Sequence, residues 1–287
     1  MNTPLRHFGT AALAACLLCS CGPSDEERAT ALLGEAQAAY EAGELNRALV
    51  LLDSIDNSCP SAIDRRRDAQ QLDYRIQLVV EQRTLEATDA QMEAYGTKID
   101  SVLNERFEYV RSEYDTEARF VPKGTDAGDV TERSYVHAAV TERGTTQLMS
   151  TYAGASPLGH TGLRLEAADG TSVATQAIPY NDGSNYRYQI LGTHYETVTY
   201  EGDKDGGALS FVALHADDRR LTAYLVGGKR EQRVAIGDKE RQALAASYEL
   251  GVMLRERQRL RHEHRTSEMK VQWLNEKLNG KTPAAAR

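Results

Sequence analysis

Cysteine is scarce in this chain, and so are proline, tryptophan and phenylalanine: 287 residues hold 4 Cys, 7 Pro, 1 Trp and 4 Phe. Cys16, Cys19 and Cys21 fall at the extreme N-terminus, which leaves Cys59 alone and excludes an intrachain disulfide framework beyond it. With no His or second Cys close in sequence, Cys59 reads as a small buried apolar residue at a helix turn. No pattern of repeated long apolar runs is present, so the chain is not a multi-pass membrane protein, and it is neither collagen-like nor low-complexity. An excess of positive charge is also missing. Lys and Arg number 34 against 42 Asp and Glu, a net charge of −8. General nucleic-acid binding, which rests on phosphate neutralisation, is therefore disfavoured. Catalytic and nucleotide signatures are absent: there is no HExxH, GxSxG or GxGxxG, and no P-loop lysine motif. The expectation is a protein that is not an enzyme and carries no cofactor or metal.

What is there begins with an address. Arg6 and His7 give a basic start, and Phe8 to Leu18 form an apolar core too short to span a bilayer, so residues 1–20 read as a secretory signal. Leu18-Cys19-Ser20-Cys21 resembles the bacterial lipoprotein signal, with Leu three positions before the cysteine and a small residue just before it. The resemblance implies cleavage before Cys21 and its acylation by palmitate-type chains, which would anchor the protein in the outer-membrane bilayer. A rival box, Leu13-Ala14-Ala15-Cys16, leaves only Phe8 to Ala12 as apolar core and would leave Leu17 and Leu18 exposed, so Cys21 is preferred. The acidic run after it, Ser24-Asp25-Glu26-Glu27, resembles the surface-export signal of Bacteroidota lipoproteins. It equally suits a helix start in which Ser24 and Glu27 make a capping box. The surface and periplasmic faces both stay open.

The remainder divides by pattern into 21–60, 61–118, 119–237, 238–279 and a frayed tail at 280–287. Charge follows the division: 22–118 carries −11, 119–237 carries −2 and 238–287 carries +4. An acidic helical region and a basic one favour each other as partners across an apolar seam. Within 21–60, Ala36, Ala39, Gly43, Leu45, Ala48, Leu52, Ile55 and Pro60 match tetratricopeptide spacing, with Gly43 at the turn and Pro60 stopping the second helix. No second repeat follows, so the pattern predicts one helical hairpin and no peptide-binding solenoid.

Residues 61–114 contain no Pro and one Gly, and predict a long helix with a stripe at Leu72, Ile76, Val79, Met92, Tyr95, Ile99, Val102, Arg106 and Tyr109. Asp238 opens another, running to about Leu278, with Leu244, Tyr248, Val252, Leu260, Met269, Trp273 and Leu274 as its apolar residues. At 1.5 Å per residue such a helix is about 63 Å long and needs a partner. The first long helix, run antiparallel, would serve; a homodimer through the same coiled coil is the alternative. Between them, alternation predicts strands at 135–140, 147–152, 161–166, 173–178, 186–190, 195–200, 221–226 and 233–236, with one short helix at 206–216. The expected fold is α+β: helical hairpin, long paired helices, and a central antiparallel β-sandwich-like head.

Arg133-Ser134-Tyr135, Leu148-Met149-Ser150-Thr151-Tyr152, His160-Thr161, Asp205-Gly206-Gly207 with Phe211-Val212-Ala213, and Ala245-Ala246-Ser247-Tyr248-Glu249-Leu250 give the chain a resemblance to uncharacterised Bacteroidota envelope lipoproteins. These carry a tetratricopeptide-like hairpin, a β-rich centre and a terminal coiled coil. The resemblance implies architecture and location, and no activity. His137, His160, His194 and His215 show no metal-ligand spacing. Glu201 to Gly206 has the look of a calcium loop but lacks its closing carboxylate, and a polar turn before a helix fits better. Tyrosine is abundant, at 14, and Tyr186, Tyr188, Tyr195 and Tyr200 are candidate interaction residues. Two functions follow: an envelope scaffold or assembly factor with an unidentified protein partner, or a glycan or small-ligand binding module using the head tyrosines.

Overall fold

A computed structural model describes residues 23–111, 113, 117–125, 133–218 and 220–280. Cys21 and the signal segment lie outside the described residues, as do 281–287. The fold is α+β, with five helices and two antiparallel sheets of six and four strands, neither closed into a barrel. None of the described helices is long and apolar enough to cross a membrane. The chain forms two compact units, Met1–Gln82 with Lys270–Arg287, and Arg83–Met269.

In the first unit, helix α1 (Asp25–Glu41) opens with a Ser24–Glu27 capping box, which satisfies two of the helix's unpaired amides. Gly43, at φ 79°, turns the chain into α2 (Leu45–Ser58). Ala36, Ala39 and Ala48 let the two helices approach, while Leu52, Ile55 and Cys59 complete the core. The Cys59 thiol is fully buried. Helix α3 (Ile63–Arg106) brings Ala69, Leu72 and Ile76 to the same core. Ser61, just before it, donates its amide and hydroxyl to Asp25 of α1. Helix α5 (Asp238–Leu278) meets α3 in this unit through Trp273, edge-on to Tyr74 at 5.5 Å, and through Lys270, 2.8 Å from Glu81.

The second unit is β-rich. Its larger sheet has the order β1 (Phe107–Val110), β2 (Arg119–Pro122), β3 (Tyr135–Thr141), β4 (Thr146–Gly154), β8 (Thr193–Glu201), β7 (Asn185–Ile190). Its smaller sheet runs β10 (Glu231–Ala235), β9 (Thr222–Gly227), β5 (His160–Glu166), β6 (Ser172–Ala174). A short helix, α4 (Ala208–Leu214), follows β8. Alternate residues of both sheets share one core: Val136, Leu148 and Val198 from the larger, Leu163, Leu165 and Leu225 from the smaller. Leu209 and Val212 of α4 and Leu244 of α5 close it. A second cluster joins Ile99 of α3 and Leu250 and Leu254 of α5 to Phe107 and Val140, partly covered by Phe120. Val140 shares its parity with Val136, so the long helices cover the same face of the sheet as the smaller sheet does. On the opposite face His137, Ala139 and Thr151 are buried as well.

Several expectations are corrected. The helix expected over 61–114 ends at Arg106, and Phe107–Val110 is strand. Phe-Glu-Tyr-Val alternates as readily as it continues a helical stripe, and a partner strand at Arg119–Pro122 decides for the sheet. Strand β6 stops at Ala174: the Thr175 and Ile178 amides still reach β5, at the Leu163 and Thr161 carbonyls, but Gln176 between them turns its amide to Lys204. Val252 and Met269, placed in the apolar stripe of α5, are exposed; Met253 and Leu254 take the inward positions.

Gly144 turns the β3–β4 hairpin at φ 86°, and a Cβ there would stand 2.9 Å from the Arg255 amide and the Gly251 carbonyl. The Arg255 guanidinium donates to the Gly144 carbonyl at 2.7 Å, so hairpin and helix touch backbone to backbone.

Leu165 is fully buried between the sheets, so Leu165→Ala should cost about 3 kcal/mol. Urea titration followed by circular dichroism should show a lower midpoint. Leu214→Ala, at an exposed position, should change stability by less than about 0.5 kcal/mol.

Candidate functional site

Strand parity places Tyr135, His137 and Ala139 of β3 opposite Thr151, Met149 and Gln147 of β4. Thr197 of β8 continues the Thr151 row to Tyr186 of β7. These residues lie on the face that the helices leave bare. Glu108 and Val110 of β1 and Arg119 and Val121 of β2 extend it. A groove of about 630 Å³ runs over this face, and residues from both edge strands line it. Walls drawn from opposite edges require the sheet to curl. The volume lies within the range of small-molecule sites, which pair an apolar lining with a few placed polar groups.

The groove's aromatic rings are ordered in pairs. Tyr135 stacks on His137 with centroids 5.2 Å apart, and Tyr188 stacks on Tyr195 at 5.1 Å and 13° between planes. Burial raises the Tyr188 phenol above its ordinary value, and the neighbouring Tyr135 and Tyr195 phenols add to it. Tyr135, His137 and Tyr188 thus form an aromatic wall of the groove, and Tyr195 backs Tyr188 from beneath. His137 is 9% exposed. Burial, then the nearby Arg119 guanidinium, pull its pKa down to about 4, so its imidazole is neutral near pH 7. Its Nδ1 is buried without a hydrogen-bond partner.

On the opposite face of the same sheet lies a second polar cluster. Glu196 of β8 is 1% exposed. Its Oε1 accepts the amides of Leu158 and Gly159, each at 2.8 Å. Its Oε2 accepts the His160 amide at 2.7 Å and faces His160 Nδ1 at 3.1 Å. Burial pushes the carboxyl up, but the His160 ring and the Gly159 and His160 amides outweigh it and hold the pKa at about 2. An ionised carboxylate only accepts, so His160 carries its proton on Nδ1. The other ring nitrogen meets Ser150 Oγ at 3.1 Å, and Tyr200 OH lies 3.3 Å from the same oxygen. Burial raises the Tyr200 phenol to about 12.

Ser150, His160 and Glu196 have the connectivity of a serine–histidine–carboxylate relay. Ser150 and His160 are nevertheless fully enclosed, and they face the inter-sheet core rather than the groove. In this conformation no substrate carbonyl reaches Ser150. The cluster fastens β5 of one sheet to β4 and β8 of the other.

The predicted interaction residues separate. Tyr186 and Tyr188 are exposed on β7. Tyr195 is buried beneath Tyr188, and Tyr200 is fully enclosed in the core, so neither offers a contact surface. Their parity explains it: five residues apart on one strand, they face opposite sides, and a neighbour covers each. Cys21, the expected lipidation site, lies outside the described residues. His194 is half-buried at the start of β8, His215 closes α4 against the Phe211 carbonyl, and His264 pairs with Asp89 at 3.0 Å. Among the described residues no group of three or more His, Cys, Asp or Glu could hold a metal ion. The calcium-like stretch is a 3-10 turn, and Asp205 spends its carboxylate on the Gly207 and Leu209 amides. Tyr135, His137 and Glu196 were not among the interaction residues read from sequence. An ionisable Glu196 sharing parity with Val198 and Tyr200 was a usable signal.

No known protein family, curated protein or solved structure matches this chain.

Both desolvated groups make stability fall in acid, in separate windows. The depressed His137 pKa means that the unfolded chain takes up its proton first. Stability should drop by about 3 kcal/mol as pH falls from 6.5 to about 4. His137→Gln should flatten that part of the profile in urea titrations at stepped pH. Glu196, depressed from 4.5 to about 2, contributes stability present above pH 4.5 and lost as pH falls through 2, again about 3 kcal/mol. Glu196→Gln should remove that window and lower stability at pH 7.

Proposed function

We propose that this chain is a non-enzymatic, lipid-anchored envelope protein whose β-rich unit binds a small ligand in the groove. The observation that carries this reading is the aromatic lining of Tyr135, His137 and Tyr188, the last backed by Tyr195, beside Arg119 and Glu108. Stacked π faces with a few polar groups suit a ring-shaped amphipathic ligand, of which a sugar is the simplest. In this reading Cys21 is acylated, α1 and α2 form a tetratricopeptide-like cap, and α3 and α5 pair antiparallel as a coiled-coil stalk. The two sheets are the layers of a sandwich-like head. The resemblance to Bacteroidota envelope lipoproteins belongs to the same proposal.

The scaffold reading keeps one observation in its favour. Val252 and Met269 of α5 stand exposed on a long helix, a surface on which an envelope protein partner could dock. It calls for no groove, whereas ligand binding does.

The full chain should bind a subset of oligosaccharides on a glycan array. Tyr135→Ala and Tyr188→Ala should each weaken the strongest signal at least tenfold while the thermal midpoint moves by only a few degrees. Tyr200→Ala should instead unfold the unit. An array with no bound glycan, or binding indifferent to Tyr135 and Tyr188, would return the scaffold reading to first place.

A further inference from the structure

The groove adjoins a smaller cleft at the start of α5. The cleft holds about 350 Å³, and Gly124, Tyr135 and His137 line both cavities. On the ligand-binding reading of the groove, we propose that its ligand is an acidic sugar. The sugar ring lies on the aromatic wall, and its carboxylate sits in the cleft against Lys239 and the first amides of α5.

Arg241 is the first residue of α5 whose amide bonds back into the helix, to the Gly237 carbonyl at 2.9 Å. The amides of Asp238, Lys239 and Glu240 before it have no carbonyl of the helix to meet, and the helix dipole leaves partial positive charge on them. The carboxylates at this end are already engaged. Glu240 accepts the Gly237 amide at 2.6 Å and pairs with Arg133 at 3.0 Å, and Asp238 pairs with Arg241 at 2.9 Å. Lys239 makes no ion pair among the described residues, so one positive charge in the cleft's lining is left uncompensated. Its ammonium lies where cleft and groove meet: a Cβ on Gly124, at φ 66°, would stand 2.6 Å from Lys239 Nζ.

His137 supplies an independent pointer to an occupant. It lines the cleft, is 9% exposed, and holds its Nδ1 buried without a hydrogen-bond partner. Buried polar groups are normally paired, and an unpaired one costs stability. A carboxylate beside the ring offers the acceptor that the protein does not, and it favours the imidazolium that burial and the Arg119 cation oppose. A neutral sugar would leave the ammonium and the three amides to water. One uncompensated lysine matches the single charge of a carboxylate better than the nearly double charge of a phosphate. The ring and the charge of the ligand are thus read by different elements: the strands of the larger sheet take the first, and the start of α5 takes the second.

A glycan array carrying uronic-acid oligosaccharides beside their methyl esters, alike in shape but uncharged, tests this with the full chain. The acids should bind roughly tenfold more tightly than the esters, as a charge-assisted hydrogen bond requires. Lys239→Gln should bring each acid down to the level of its ester and leave the ester unchanged. Lys239 is exposed, so the substitution spares the fold. Neutral glycans leading the array, or acid binding that Lys239→Gln leaves unchanged, overturns the proposal while the groove reading stands; a blank array overturns both. Small anions test the cleft without a sugar. Acetate titrated into the isotope-labelled full chain should shift the Asp238 and Glu240 amide resonances saturably by NMR, and Lys239→Gln should weaken that binding. Saturation by inorganic phosphate but not by acetate overturns the carboxylate assignment. A shift that grows linearly with either anion, without saturation, overturns the cleft as a site.

Discussion

A carboxylate cut off from water must be given donors, and Glu196 is given four: three consecutive backbone amides and one imidazole N–H. Two come from Leu158 and Gly159, just before β5, and two from His160, the first residue of β5 in the smaller sheet, while Glu196 belongs to β8 in the larger. Leaving such a charge unpaired in the core would cost several kcal/mol, so the two sheets can meet in only one way. The bond fixes which residues of β8 point inward, and with them Val198 and Tyr200. Asn185 reinforces it by donating to the carbonyls of His160 and Ile178. The larger sheet is held from one side, and everything on its other side is free to serve a surface.

That other side carries the contrasting buried group. His137 is buried too, but its Nδ1 meets no acceptor and the nearby charge is the Arg119 cation, so it gives up its charge instead of keeping it. One sheet thus holds a fixed anion on its inner face and a neutral imidazole on its outer one. A neutral ring stacked on Tyr135 suits an amphipathic surface better than a solvated cation would, and it leaves Arg119 and Glu108 as the charged groups of the groove. The aromatic wall then continues to the sheet's edge, where Tyr188 belongs to the groove and to the open strand at once.

Much of the β-rich unit was legible because alternation is a local property. The strands from β3 to β5 and from β7 to β10 stand close to where apolar and polar residues alternate. Strands β1 and β2 were not legible, since Phe107 and Tyr109 satisfy a helical stripe as well as a strand, and only the partner at Arg119–Pro122 decides between them. The tyrosines show a different limit. Residue spacing places Tyr195 and Tyr200 on opposite faces, but only the three-dimensional register shows that Tyr188 covers one and that the core takes the other. The groove depends on curvature, which no single strand encodes.

The contact at Gly144 has an evolutionary consequence. Hairpin turns are usually where related chains diverge, gaining and losing residues without penalty. This turn is wedged against the backbone of α5, with the Gly251 carbonyl and the Arg255 amide where a side chain would begin. Arg143, exposed beside it and paired only with Glu117 at the surface, is far less constrained. Gly144 cannot change until Gly251 or the path of the helix changes with it, so a substitution at one site must wait for another in a different part of the chain.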